Sequence, residues 1–141
     1  MPNMRQQFAR QIGLGDILDY QNNRPSQLGY SMGQHNGPQD AARHILGSYA
    51  LANKVGNIPA SAITTGYEGL GKIFLEPNKE TSMDMHNNQL GRSLADRFDN
   101  RDDAERALKT LMDYAAKYDL WDKQVPYVPT WLPRKDQQGD Y

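Results

Sequence analysis

The stretch from Pro38 to Val55 decides the fold of this chain, and it reads PQDAARHILGSYALANKV. Its apolar residues recur every three to four positions, which predicts a helix over 38–55 with one buried face. Asn36 and Gly37 can cap the start of this helix, and proline suits the first helical position. Gly56 supplies a stop directly after the last apolar residue.

Other segments repeat this pattern more weakly, and none alternates as a strand does. Helices are predicted over 4–20 (interrupted near Gly13 and Gly15), 59–75, 81–98 and 102–118. Between the helices predicted over 4–20 and 38–55 lies a polar connection, 21–37, rich in Asn, Gln, Ser, Gly and Pro. The sequence therefore predicts an all-α fold, a compact bundle of four to five short helices with extended N-terminal and Pro-rich C-terminal tails.

Three regions follow from this organisation. Residues 1–35 form an N-terminal arm with a short helix and a polar loop, 36–122 the helical core domain, and 123–141 an extended tail. The prolines between Val125 and Pro133 exclude a helix there and predict an extended, polyproline-like course. Because Tyr127 and Trp131 lie in this tail, we expect the tails to contact other protein chains.

Composition limits the classes of function. The chain has 141 residues, a mean hydropathy of -0.84 and a net charge of -1, which indicate one domain with a small core and polar ends. The absence of cysteine excludes disulfides and thiol nucleophiles. A pI near 6.3 predicts no nucleic-acid partner. We expect no membrane span, and Met1 to Arg10 does not read as a signal peptide.

Polar residues occupy the face of the 38–55 helix that should be apolar. Asp40 and His44 are four residues apart, so they lie on one side of the helix and can touch. Two interpretations stay open. Asp40 caps the helix and orients His44 while Arg43 pairs with a carboxylate elsewhere, or an Asp-His pair holds an imidazole as a general base or metal ligand.

A second polar cluster opens the helix predicted over 81–98. Its inward face, carried back by one turn, presents Asp84, Asn87 and Asn88, whereas His86 points away from it. These amides either bond to a neighbouring loop or orient a substrate, water or cation. Arg92 flanks the same face, where it can hold Asp84 or bind an anion.

A metal centre is not favoured by the sequence. Asp40, His44, Glu68, Asp84 and His86 supply possible ligands, but they form no pattern of the HExxH kind. Because His86 points outward, two histidines should not meet in one site. We therefore expect no metal and no other cofactor.

At these residues the chain resembles an uncharacterised all-helical domain family of bacteria and their phages. The family pattern is N-G-x-x-D-A-x-R-H, an acidic residue on the next helix, and M-D-x-H-N-N-x-x-G-R. Here these read Asn36 to His44, Glu68, and Met83 to Arg92. Glu68 lacks the histidine that accompanies the acidic residue in the family. The resemblance implies that the eight polar residues form one site: Asp40, Arg43, His44, Glu68, Asp84, Asn87, Asn88 and Arg92.

The resulting functional hypothesis is a small phage or bacterial hydrolase that acts on the cell envelope, with peptidoglycan as the polymer. His44, Asp40, Asp84 and Glu68 are its candidate catalytic residues. Arg43, Asn87, Asn88 and Arg92 are its candidate substrate-binding residues. The alternative is a structural or accessory subunit of a phage-type assembly, in which the cluster is an internal clamp. A third possibility is a module that binds a cation or small ligand with the same acids and performs no chemistry. The first two hypotheses place the chain in a phage particle or the bacterial cytoplasm.

Overall fold

A computed structural model describes residues 15–55 and 79–137 of the chain. These residues form four α-helices: α1 (Gly15–Gln27), α2 (Pro38–Val55), α3 (Lys79–Ala95) and α4 (Arg101–Lys117). A short 3-10 helix follows at Arg134–Asp136. Over the described residues there is no strand, so the predicted all-α class is confirmed. The helix predicted over 59–75, with Glu68, lies outside the described residues.

Helix α2 is the centre of the bundle, and α1, α3 and α4 all pack against it. Its core residues Ile45, Leu46 and Tyr49 are completely buried. The Tyr49 hydroxyl donates a 2.8 Å hydrogen bond to the backbone carbonyl of Phe98, so the buried phenol is satisfied at the end of α3. The observed bounds of α2 are those that its sequence predicts.

The predicted polar connection over 21–37 is wrong at its start, because α1 continues to Gln27 in spite of Pro25. Pro25 is fully buried, and Arg24 Nε lies 2.7 Å from a carboxylate oxygen of Glu105 on α4. These long-range contacts stabilise a turn that helix propensity alone disfavours. A pattern of local polarity does not reveal them.

The C-terminal segment, which we define as residues 120–133, is not helical, as predicted, but it packs on its own chain. Its predicted extended course is interrupted by a turn, in which the Val128 amide donates to the Val125 carbonyl and Tyr127 is left-handed (φ 65°). Val128 and Trp131 are buried in the main hydrophobic core. Trp131 stacks on Trp121 with ring centroids 5.8 Å apart. The docking of Trp131 thus occurs within the chain, and contact of the tails with other chains stays a prediction.

Two side chains of α3 hold this segment through its backbone. Asn87 Nδ2 donates to the Thr130 carbonyl at 2.7 Å, and Asn87 Oδ1 accepts from the Thr130 amide at 3.0 Å. On the preceding residue, His86 Nε2 lies 2.6 Å from the Val128 carbonyl. Asn87 is completely buried. Its side-chain amide therefore serves as the hydrogen-bond partner that the Thr130 backbone would otherwise need from another backbone group.

At Gly91 the backbone of α3 lies close against α2. A Cβ atom at this position would lie 2.3 Å from the Ile45 carbonyl oxygen and 2.8 Å from Ser48 Cβ. Neither neighbour can yield easily, because one is backbone and the other begins a buried side chain. Gly91 therefore sets the distance between the two helices.

Within the described parts of the chain, no helix combines the length and the apolar character needed to cross a lipid bilayer.

Replacement of Gly91 by alanine should destabilise the fold. Alanine is the better helix former by about 1 kcal/mol, but the clash with the Ile45 carbonyl should outweigh this and cost roughly 1–3 kcal/mol net. Urea denaturation measures the change. Gln89→Ala, an exposed position on α3, serves as the control and should be close to neutral. A Gly91→Ala chain as stable as the wild type would contradict the close approach.

Replacement of Asn87 by alanine should release the C-terminal segment. The Thr130 amide and carbonyl would both lose their partner in a buried site, which costs roughly 1–3 kcal/mol for each group. Both tryptophans of the chain lie in this segment, so a red shift of their fluorescence reports its release. Fast hydrogen exchange at the Thr130 amide gives a second readout. Unchanged fluorescence and exchange would show that the amide does not hold the segment.

Candidate functional site

Two adjacent helices bring together three of the predicted catalytic side chains. One ligand atom from each of Asp40 and His44 on α2 and Asp84 on α3 lies within 4.8 Å of the others. His44 Nε2 is 3.2 Å from Asp84 Oδ1 and 3.5 Å from Asp40 Oδ1. The imidazole therefore presents one nitrogen to two carboxylates at once. We call these three residues the Asp-His-Asp cluster.

The other ring nitrogen of His44 is held by an amide. His44 Nδ1 lies 3.1 Å from Asn88 Oδ1, and Ser48 Oγ donates to the same oxygen at 2.9 Å. An amide oxygen only accepts hydrogen bonds, so Nδ1 carries a proton in this arrangement. It follows that Nε2 is the nitrogen available for chemistry, and that Asn88 fixes its direction.

Asp40 is placed by the turn that precedes α2. Its Oδ2 accepts a 2.8 Å hydrogen bond from the Asn36 backbone amide, and its Oδ1 pairs with the Arg43 guanidinium. The side chain is only 3% exposed. Asn36 adopts a left-handed conformation (φ 65°), which aims its N–H at the carboxylate. Thus a buried charge is matched by a cation and by a backbone donor.

The cluster lies at a partly exposed edge of the two helices. The side chains of His44 and Asp84 are 14% and 13% exposed, but Asp84 Oδ1, the oxygen that faces His44, is itself inaccessible to solvent. Arg43 lies beside them with 35% of its side chain exposed. The cluster is therefore largely buried, with limited exposure at its rim.

The other predicted site residues fall into different places. Asn88 holds His44 and so stands behind the reacting nitrogen instead of in contact with a substrate. The Asn87 side-chain amide bonds to the Thr130 backbone, the kind of loop contact that the sequence left open as an alternative to substrate binding. Arg92 is partly buried, and desolvation lowers the pKa of its guanidinium. Glu68 lies outside the described residues.

Two contributors are not among the predicted site residues. Ser48 follows His44 by one helical turn and supplies a second donor to Asn88. Its spacing of four residues places it on the same edge of α2 as His44, so helical periodicity is sufficient to identify it as a candidate. Asn36 acts through its backbone amide, and a side-chain pattern carries no signal for such a contact.

A comparison with known protein families identifies the family of this chain. Residues 18–118 match the family described as a domain of unknown function, DUF6973. The matched range contains the whole Asp-His-Asp cluster together with Ser48 and Asn88. A search of curated proteins gave no significant match. A search of solved structures also gave none. Since the match spans most of the 141 residues, the chain belongs to the DUF6973 family of domains of unknown function.

Proposed function

We propose that this chain is a hydrolase whose Asp-His-Asp cluster activates a water molecule. The observation that carries the proposal is the orientation of His44, with Nδ1 held by Asn88 and Nε2 directed at two carboxylates. Imidazole and carboxylate groups in one partly exposed site are the groups that take and return protons in hydrolysis. Here they are fixed on two packed helices before any substrate arrives.

The proposed roles follow from the contacts. A water at the open edge of the cluster would lose its proton to the cluster as it attacks a carbonyl or glycosidic carbon, and the proton would return to the leaving group. Asn88 and Ser48 position the imidazole. Arg43, which is partly exposed beside Asp40, supplies positive charge for an anionic part of the substrate.

The substrate class we propose is a polymer of the bacterial cell envelope, with peptidoglycan first. It contains both amide and glycosidic bonds, and its peptide carboxylates suit a site flanked by Arg43. The resemblance to domains of bacteria and their phages supports the same choice by context. Under this proposal the chain acts in a phage particle or a bacterial cell.

A second candidate is a structural subunit of a phage-type assembly, in which the cluster clamps two helices. The bonds from Asn88 on α3 to His44 and Ser48 on α2 favour it, because they join the helices directly. A clamp predicts a large loss of stability when His44 is removed, and no activity in the wild-type chain. A hydrolase predicts activity that is lost in variants that remain folded.

The test is zymography on purified peptidoglycan with the wild-type chain, His44→Ala and Asp84→Asn. We expect clearing by the wild type and a loss of at least about 100-fold in each variant, because each removes a group of the water-activating cluster. His35→Ala is the matched control, since His35 is exposed and lies outside the cluster. Circular dichroism checks that all four chains are folded.

No clearing by a folded wild-type chain would reject peptidoglycan as the substrate and favour the structural subunit. Clearing that is equal in the wild type and in both cluster variants would reject the cluster as the catalytic centre.

A further inference from the structure

We propose that Asp40, His44 and Asp84 bind one divalent metal ion, with His44 Nε2 and one oxygen of each carboxylate as ligands. The proposal concerns the site of the proposed hydrolase and rests on that function for its role in catalysis. Binding itself is measured separately. It departs from the expectation of no metal, which rested on the absence of an HExxH-like ligand pattern and on the outward direction of His86.

The distances between the ligand atoms fit a metal ion. Ligand bonds of about 2.1 Å place neighbouring ligands about 3.0 Å apart in an octahedral site and about 3.4 Å apart in a tetrahedral site. The observed separations from His44 Nε2 are 3.2 Å to Asp84 and 3.5 Å to Asp40. These two separations therefore need to change little when an ion enters, and the two carboxylate oxygens already lie within 4.8 Å of each other. Two such separations from one nitrogen place the ion among the three side chains.

The outer contacts of His44 are those of a metal ligand. Histidines that bind metals donate their second ring N–H to an oxygen acceptor, which fixes the tautomer and the direction of the ring. Asn88 Oδ1 is that acceptor here, and Ser48 holds it from the other side. With Nδ1 protonated, the lone pair of a neutral imidazole at Nε2 faces two anionic oxygens, an arrangement that a cation stabilises.

A proton on Nε2 is the competing occupant. It would give an imidazolium paired with the two carboxylates, and the cluster would then be an ion pair without a metal. The two cases differ in measurable ways, because a metal ion must displace this proton when it binds. Release of a proton on metal addition is therefore part of the test.

Arg43 competes with the metal ion for Asp40. Its guanidinium pairs with Asp40 Oδ1, the same oxygen that lies 3.5 Å from His44 Nε2. Because Arg43 is partly exposed, it can turn toward solvent when an ion takes its place. Removal of this positive charge should strengthen metal binding, whereas in a simple ion-pair cluster it would create no metal affinity.

The ligand set selects the kind of metal. One imidazole and two carboxylates suit Zn²⁺ and similar first-row ions, whereas Mg²⁺ and Ca²⁺ prefer oxygen ligands alone. Three protein ligands also leave a coordination position for water, as in catalytic zinc sites. A zinc ion in this position would lower the pKa of that water toward neutrality, so the ion would perform the activation assigned above to the cluster.

The experiment is calorimetric titration of the chelator-treated full chain with ZnCl₂ in two buffers of different ionisation enthalpy. We expect one ion per chain with proton release, and no detectable binding of MgCl₂. Affinity should fall at least about 100-fold in His44→Ala and Asp84→Asn and about 10- to 100-fold in Asn88→Ala. It should rise in Arg43→Gln and stay unchanged in the His35→Ala control.

A second measurement needs no variant. Co²⁺ added to the wild-type chain should give visible absorption bands of a nitrogen- and oxygen-liganded site, and ZnCl₂ should remove them. The proposal is overturned if the wild type binds no Zn²⁺ at millimolar concentration. It is also overturned if folded His44→Ala and Asp84→Asn chains bind Zn²⁺ as the wild type does.

The two proposals fail separately. Zinc binding at the cluster without clearing of peptidoglycan would reject peptidoglycan as the substrate of the proposed hydrolase and support the metal site. Clearing that persists after chelation, in a chain that binds no Zn²⁺, would support the hydrolase and overturn the metal site.

Discussion

The close contact between α2 and α3 at Gly91 is the constraint on which the rest of the structure depends. A hydrogen in place of a side chain lets the α3 backbone reach the Ile45 carbonyl. One turn before Gly91, the same approach brings Asn88 within hydrogen-bond distance of Ser48 and His44. A wider separation would break these bonds and leave buried amide and hydroxyl groups without partners, at a cost of roughly 1–3 kcal/mol each. The packing of α2 against α3 and the geometry of the site therefore depend on the same close contact.

The polar groups between these helices are arranged in order of burial. Asn88 and Ser48 are nearly inaccessible and satisfy each other, while His44 and Asp84 retain an exposed edge. Among these groups, Asp40 has the largest desolvation cost, because it is a carboxylate with almost no exposure. It is tolerated since Arg43 and a backbone N–H both face it.

Helical periodicity was enough to predict much of this site. The positions of Asp40, His44, Asp84 and Asn88 follow from a repeat of 3.6 residues, because that repeat decides which side chains share a face. It could not separate Asn88 from its neighbour Asn87, since both border the inward face. Their roles differ because they face different partners. Asn88 faces α2, whereas Asn87 faces the C-terminal segment. The second contact joins residues far apart in sequence, and no local pattern contains it.

The C-terminal segment supports the site from outside the range matched to the family, which ends at residue 118. Asn36, whose N–H holds Asp40, accepts a 2.7 Å hydrogen bond from the Leu132 amide. Its side chain donates to Glu80 on α3 and to the Asp136 carbonyl. The left-handed conformation of Asn36 is therefore stabilised by bonds to residues that come after the matched range. Because the same residue directs a donor at the buried carboxylate, the segment contributes to the placement of Asp40 without touching it.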